Sequence, residues 1–232
     1  MSEPVWKMIY LARRNPSLAA EDYPQAWREH SALGRQCRNV GQRVKSVAQC
    51  SRLLDVALPG ATTDYDGVNL MVLADREAAL VIWDDPETLA IMKPDEPRVF
   101  DRYVRQFSLT GREQLLRDGA RTPVVLHGFL RRRAELSAAD FRLAWIAAAP
   151  ASLLLRGALG AAPRIVHNEV VDTPPPGYEY DVIVEWWFES RDELQRVVGT
   201  TDLREQIAAP LARLLDLPGS VFIATAVTHA RP

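Results

Sequence analysis

His30 stands three residues after Trp27 in the stretch RRNPSLAAEDYPQAWREH, residues 13–30. That spacing puts both side chains on roughly one face of a helix. An imidazole partly shielded by an indole can have its pKa tuned for proton transfer, which makes His30 the candidate acid or base. The competing reading is a half-buried histidine that bonds a backbone carbonyl. Trp27 reads first as packing between helix and sheet, and second as the wall of a ligand pocket. Arg13 could grip a carboxylate or enolate oxygen, and Tyr65 could offer its phenol to a substrate oxygen. The candidate catalytic set is therefore His30, Arg13 and Tyr65. The duller alternatives are a salt bridge from the arginine pairs, Arg13–Arg14 and Arg131–Arg132, to Asp22 or Asp140 at the helix start, and a hydrogen bond from Tyr65 where a strand begins.

A second group of polar residues interrupts apolar runs in the latter half: His127, His167, Glu169 and Glu185. His167 and Glu169 are two apart in a strand and share a face. Were His127 and Glu185 to point the same way, the four would cluster inside the fold. Two histidines and a carboxylate could ligate iron or zinc, but the spacing is no metal motif and no metal is assigned. Ligand contacts, an ordered hydrogen-bond network and unrelated positions remain as readings. Trp187 alternates onto the face of Glu185 in DVIVEWWF and joins the candidate ligand contacts. There is no glycine-rich phosphate loop, Gly-x-Ser-x-Gly elbow or Cys–His pairing, so nucleotide-dependent and serine-hydrolase chemistry lack support. No cofactor is expected.

The elements that would hold these residues come in two similar sets. RRRAELSAADFRLAWIAA, residues 131–148, aligns with residues 13–30 at an offset of 118. Arg13/Arg131, Arg14/Arg132, Leu18/Leu136, Ala20/Ala138, Asp22/Asp140, Ala26/Ala144 and Trp27/Trp145 are identical, but Ala148 stands opposite His30. YDGVNLMVLADRE from Tyr65 aligns with YDVIVEWWFESRD from Tyr180 at an offset of 115. Strands are expected over 5–14, 43–54, 66–74 and 107–116, and again over 123–133, 163–171, 180–188 and 220–229. Helices are expected over 17–36, with Ser17 as N-cap or a start near Asp22 that suits Pro24, then over 75–92 and 96–106, broken at Pro94 and Pro97. The latter half should have helices from Ser137 and over about 190–214, the second interrupted near Gly199.

The order is βαββαβ twice, in units at 1–118 and 119–232. The expected class is α+β: two ferredoxin-like repeats, each a four-stranded antiparallel sheet with its helices on one face. The uncovered faces should pack face to face as an intrachain pseudo-dimeric α/β barrel. Val182, Val184, Trp186 and Phe188 should face helices. Asp181, Ile183, Glu185 and Trp187 should face the other sheet.

The 232 residues are 47% hydrophobic and 25% charged, with a formal net charge of −2. That is an ordinary globular composition with no basic stripe, so neither nucleic acid nor a membrane surface is an expected partner. Two cysteines, Cys37 and Cys50, make no disulfide framework, and MSEPVWKMIYLARR is not a signal peptide. A cytoplasmic protein with a small-molecule ligand is expected; a further homodimer is left open.

The arginine pair, the following Leu18, Asp22 and Tyr23, the Trp27-x-x-His30 motif and the Tyr-Asp start of a later strand together resemble the EthD family of the dimeric α/β-barrel superfamily. The resemblance covers about 5–117 and 123–229. It implies a nucleotide-independent enzyme of oxidoreductase, isomerase, cyclase or lyase type, acting on an apolar oxygen-bearing compound in catabolism or secondary metabolism, with His30 as acid or base. Apart from the resemblance, Arg131 sits like Arg13 where a first strand leaves the sheet and is a candidate ligand contact. A non-catalytic binding or accessory protein, and a haem or non-haem metal protein on the same fold, stand as alternatives.

Overall fold

The computed structural model describes residues 3–231. Eight strands carry the chain: β1 Val5–Ala12, β2 Val44–Arg52, β3 Gly67–Leu73, β4 Ser108–Arg117, β5 Val124–Leu130, β6 Arg164–Val170, β7 Val182–Phe188 and β8 Val221–Arg231. They close into one antiparallel barrel in the order β1-β3-β2-β8-β5-β7-β6-β4. The first half thus supplies β4-β1-β3-β2 and the second β8-β5-β7-β6.

The expectation of two separate sheets is corrected here. The walls do confront each other across the lumen, but they are also hydrogen-bonded edge to edge at two seams, β2–β8 and β4–β6. The long strands make this closure. β4 pairs with β1 through Ser108–Glu113 and with β6 through Gly111–Arg117. β8 pairs with β5 through Val221–Ala226 and with β2 through Thr225–Arg231. An open sheet would leave backbone donors and acceptors bare at its edges, and closure removes those edges.

The helices lie outside the barrel: α1 Tyr23–Leu33, α2 Arg38–Arg43, α3 Arg76–Val81, α4 Glu96–Val99, α5 Ala138–Ala147, α6 Pro150–Leu154, α7 Arg191–Val198 and α8 Ala209–Ala212. α1 starts later than Ser17 would have it. Pro24 sits in its first turn, where its missing N–H costs nothing, and Asp22 precedes it without a side-chain cap. Ser137 does cap α5, accepting from the Asp140 N–H. The predicted helices over 75–106 are broken into short pieces, with a π-helical turn at Thr88–Met92 and Pro94 and Pro97 in the turns that follow. The expected interruption of the helix over 190–214 falls at Gly199, whose φ of 61° is left-handed; beyond it only the short α8 forms.

β7 alternates as expected from Val182 onward, but Asp181, expected on the inner face, precedes the strand and bonds Arg132 at the outer cavity. Val182, Val184, Trp186 and Phe188 pack with Phe141, Leu194 and Leu211 of the outer helices. Glu185 instead crosses the lumen to Lys7 of β1, a strand that is not its neighbour. Close packing on the other side is set by Gly67 of β3. A Cβ there would meet Trp27 Cζ3 at 2.7 Å, so only glycine lets α1 sit so near the sheet.

Candidate functional site

α5 turns Phe141 and Trp145 down toward the sheet, their rings stacked at 5.3 Å. Beneath and beside them, over the β4–β6 seam, is a cavity of about 640 Å³. Its floor comes from strand alternation: His167 and Glu169 of β6 lie directly across from Gln114 and Arg112 of β4. Its apolar walls include Phe141, Trp145, Ile146, Val170 and Val182. Ala149, left-handed at φ 50°, turns the chain out of α5 at the cavity edge.

The Trp145 indole Nε1–H donates to His167 Nε2 at 3.1 Å. An indole can only donate, so Nε2 holds a lone pair and the imidazole proton sits on Nδ1. Burial pushes the His167 pKa down to about 4, so the ring is neutral at pH 7. Glu169 is shared by two guanidiniums: Arg112 donates to Oε2 at 2.5 Å and Arg142 Nε lies 2.8 Å from Oε1.

The space beneath α1 differs. Offset by 118 from His167 is Gln49, whose amide donates to the Trp27 carbonyl. Trp83, Met92, Glu96 and Phe100 fill the region, leaving about 40 Å³. His30 is buried there, edge-on to Phe100, with Nδ1 3.0 Å from Asp95 Oδ2. Burial lowers its pKa by more than the Asp95 contact raises it. Beside it, burial raises the Glu96 carboxyl to about 7, against the hydrogen bond it accepts from Val104 N–H.

Of the candidate catalytic set, Arg13 and Tyr65 come together: the guanidinium lies 4.2 Å over the Tyr65 ring, and Nε donates to the Asp64 carbonyl. Neither lines the space that holds His30. The expected partners of the arginine pairs are corrected. Arg14 bonds Asp66 and Arg132 bonds Asp181, because each carboxylate also accepts from the backbone N–H of its arginine. Asp22 makes no cap bond, and Asp140 accepts from the Ser137 hydroxyl. Arg131 pairs with Glu179 and lies over the Tyr180 ring.

The four-residue polar cluster is also corrected. β6 alternation sends His167 and Glu169 outward to the cavity, whereas His127 and Glu185 pair across β5–β7 facing the lumen. There His127 Nε2 meets the Thr225 hydroxyl at 3.0 Å, and burial pulls its pKa to about 4. Glu185 accepts from Lys7 at 2.6 Å, Asn168 at 2.9 Å and the Trp187 indole at 3.0 Å. Lys7 also meets Glu113 at 2.5 Å. Burial alone would raise the Glu185 pKa, but Lys7 and Asn168 outweigh it and hold it below the usual carboxylate range. Lys7, Glu113, Asn168, Arg112 and Arg142 escaped the reading of the sequence. Lys7 had left one signal, a lysine amid the apolar run VWKMIYLA. Both cysteines are buried, and burial raises their thiols, which suits neither as a nucleophile.

Residues 15–103, which include Trp27, His30 and Tyr65, match the model of the EthD domain family. Over this segment the chain is similar to an EthD domain. The EthD match begins just after β1 and ends before β4, so it holds α1, β2 and β3 but not the large cavity. The whole chain superposes on an anthrone oxidase-like protein with TM-score 0.63 and 9% identity, over 99% of this chain and 93% of that one. It also superposes on a provisionally named monooxygenase from Fusobacterium nucleatum, with TM-score 0.53 and 9% identity, over 98% and 94%. A third match is chlorite dismutase from Candidatus Nitrospira defluvii, with TM-score 0.51 and 12% identity, over 98% and 93%. At such identities the likeness is one of fold. No curated protein matches the chain by sequence.

The four histidines do not suit a haem or other metal centre, the third alternative. A metal needs a lone pair. His167 has committed that of Nε2 to Trp145, and moving the proton so that Nδ1 could ligate would set two N–H groups against each other at 3.1 Å. His127 is fully buried, His30 adjoins only the 40 Å³ space, and His229 sits among Arg28, Arg35 and Arg231. Among the described residues no three His, Cys, Asp or Glu converge as a ligand set. The donor set does not fit a metal in the large cavity.

Proposed function

We propose that the chain is an EthD-type enzyme that acts, without a nucleotide, on an apolar oxygen-bearing small molecule seated in the cavity beneath α5. The observation that carries this is the 640 Å³ space itself, with aromatic walls and a polar floor, which has the size and character of a small-molecule site. The names borne by the fold neighbours favour oxidation as the reaction type. The chain is read as two EthD-like units, 1–118 and 119–232, the second of which lost the histidine but holds the open pocket. His30 would act as acid or base only on a substrate admitted to the filled space under α1. A binding or accessory role is the second reading, favoured by one fact: the basic nitrogen of His167 is already occupied.

The test is oxygen uptake and product analysis with enolisable aromatic ketones and polycyclic phenols. Turnover should fall by about 100-fold in His167→Ala, the usual cost of a lost oxyanion donor, and survive in His30→Ala with the melting transition intact. Loss in His30→Ala and survival in His167→Ala would move the chemistry to the first half. Binding without turnover would make the protein an accessory one. α5 also leaves Leu143 and Ile146 bare, where α1 has Gln25 and Arg28 at the same offset, and a homodimer would use that face. Light scattering decides its occurrence.

A further inference from the structure

We infer that the floor of the cavity is a site for an anionic oxygen, so that its ligand is an apolar ring system carrying a phenolate, enolate or carboxylate. The inference rests on the reading of this cavity as the ligand site and adds the charge and position of the ligand's polar end.

Three donors converge on that floor. His167 turns to the cavity a ring whose Nε2 is occupied by Trp145, and Nδ1 has no protein partner among the described residues. The nitrogen left for a ligand is therefore an N–H, a donor and not a base. Trp145 is the positioning residue that fixes this tautomer. On either side stand Arg112 and Arg142, each about half exposed, which share the single carboxylate of Glu169. A guanidinium has five N–H groups, so both keep donors to spare.

The charge count agrees. The other two carboxylates of the cavity have cations of their own, Asp172 with Arg76 and Asp181 with Arg132. Glu169 has two, which leaves one positive charge in excess at the floor. A neutral donor between two guanidiniums stabilises an oxyanion without taking a proton from solution. The positions offset by 118 in the first half, Gln49 and Ser51, offer no such set, so this chemistry belongs to the second half alone.

The probes are 2-naphthoate and its uncharged counterpart 2-acetylnaphthalene, titrated against the full chain by calorimetry at pH 7. Naphthoate should bind at least about tenfold tighter, as expected for a charge-assisted site, and the gap should close in Arg112→Gln/Arg142→Gln. Imidazole ¹⁵N NMR should show His167 as the Nδ1–H tautomer, shifting toward Nε2–H in Trp145→Phe, a change that a purely structural tryptophan would not cause. Equal affinity for the two probes would overturn the anion site while leaving the cavity as a ligand site. Binding of neither would overturn the cavity reading and this inference with it. An Nε2–H His167 in the unmutated protein would remove the proposed donor.

Discussion

Glu96 shows at the scale of one residue how burial and titration are linked. It is 4% exposed, and its carboxyl is raised to about 7. Between the unfolded value near 4.5 and 7 the folded protein holds a proton that the unfolded chain has released, so stability falls as pH rises through that window, by about 3 kcal/mol in all. Glu96→Gln keeps the acceptor for Val104 N–H and removes the charge. Urea unfolding should find the variant more stable than the parent at pH 8, with the advantage shrinking toward pH 4.5; an equal or less stable variant at pH 8 would contradict this. His127 and His167, both lowered to about 4, work in the opposite sense: the unfolded chain binds their protons first, so stability is lost as pH falls from about 6.5 toward 4. The sequence singled out His127 and His167 as polar interruptions of apolar runs, but not their burial or partners. The alignment drew attention to His30, because Trp-x-x-His is a local spacing. His167 is tied to Trp145 across 22 residues, a pairing that exists only once β6 lies under α5.

Among the elements, the strands were the most legible, because β-branched and aromatic runs with period-two alternation have few other uses. β7 is the clearest case, both of its faces being placed as alternation demands. The helices over 75–106 were less so: the breaks at Pro94 and Pro97 were readable, but the π-turn at Thr88–Met92 leaves no pattern. The deeper omission lies in β1. Lys7 could have been an exposed edge residue, and nothing local says that it meets Glu185 and Glu113 across the lumen. Glu185 is 1% exposed, so removing its cation strands a buried charge. Lys7→Met should cost about 3–5 kcal/mol in chemical denaturation, and Lys7→Met/Glu185→Met should recover most of it. A single variant as stable as the parent would show that the triad carries no weight.

For the whole molecule, two halves with the same strand order and matched contacts, such as Arg14–Asp66 and Arg132–Asp181, close one barrel yet differ in what lies over their seams. The strand pattern foretold an antiparallel α+β fold whose walls face each other. It could not foretell edge-to-edge closure, which depends on how far β4 and β8 run past their own partners. Nor could it say which half is hollow, because that is decided by the fill of Trp83, Met92, Glu96 and Phe100 in one half and its lack in the other. Function therefore turns on where a ligand sits. Hydrogen exchange with and without saturating 2-naphthoate tests this most directly. Protection is predicted over residues 138–151 and 164–173, with 23–36 and 88–106 unchanged; protection confined to 23–36 and 88–106 would contradict it.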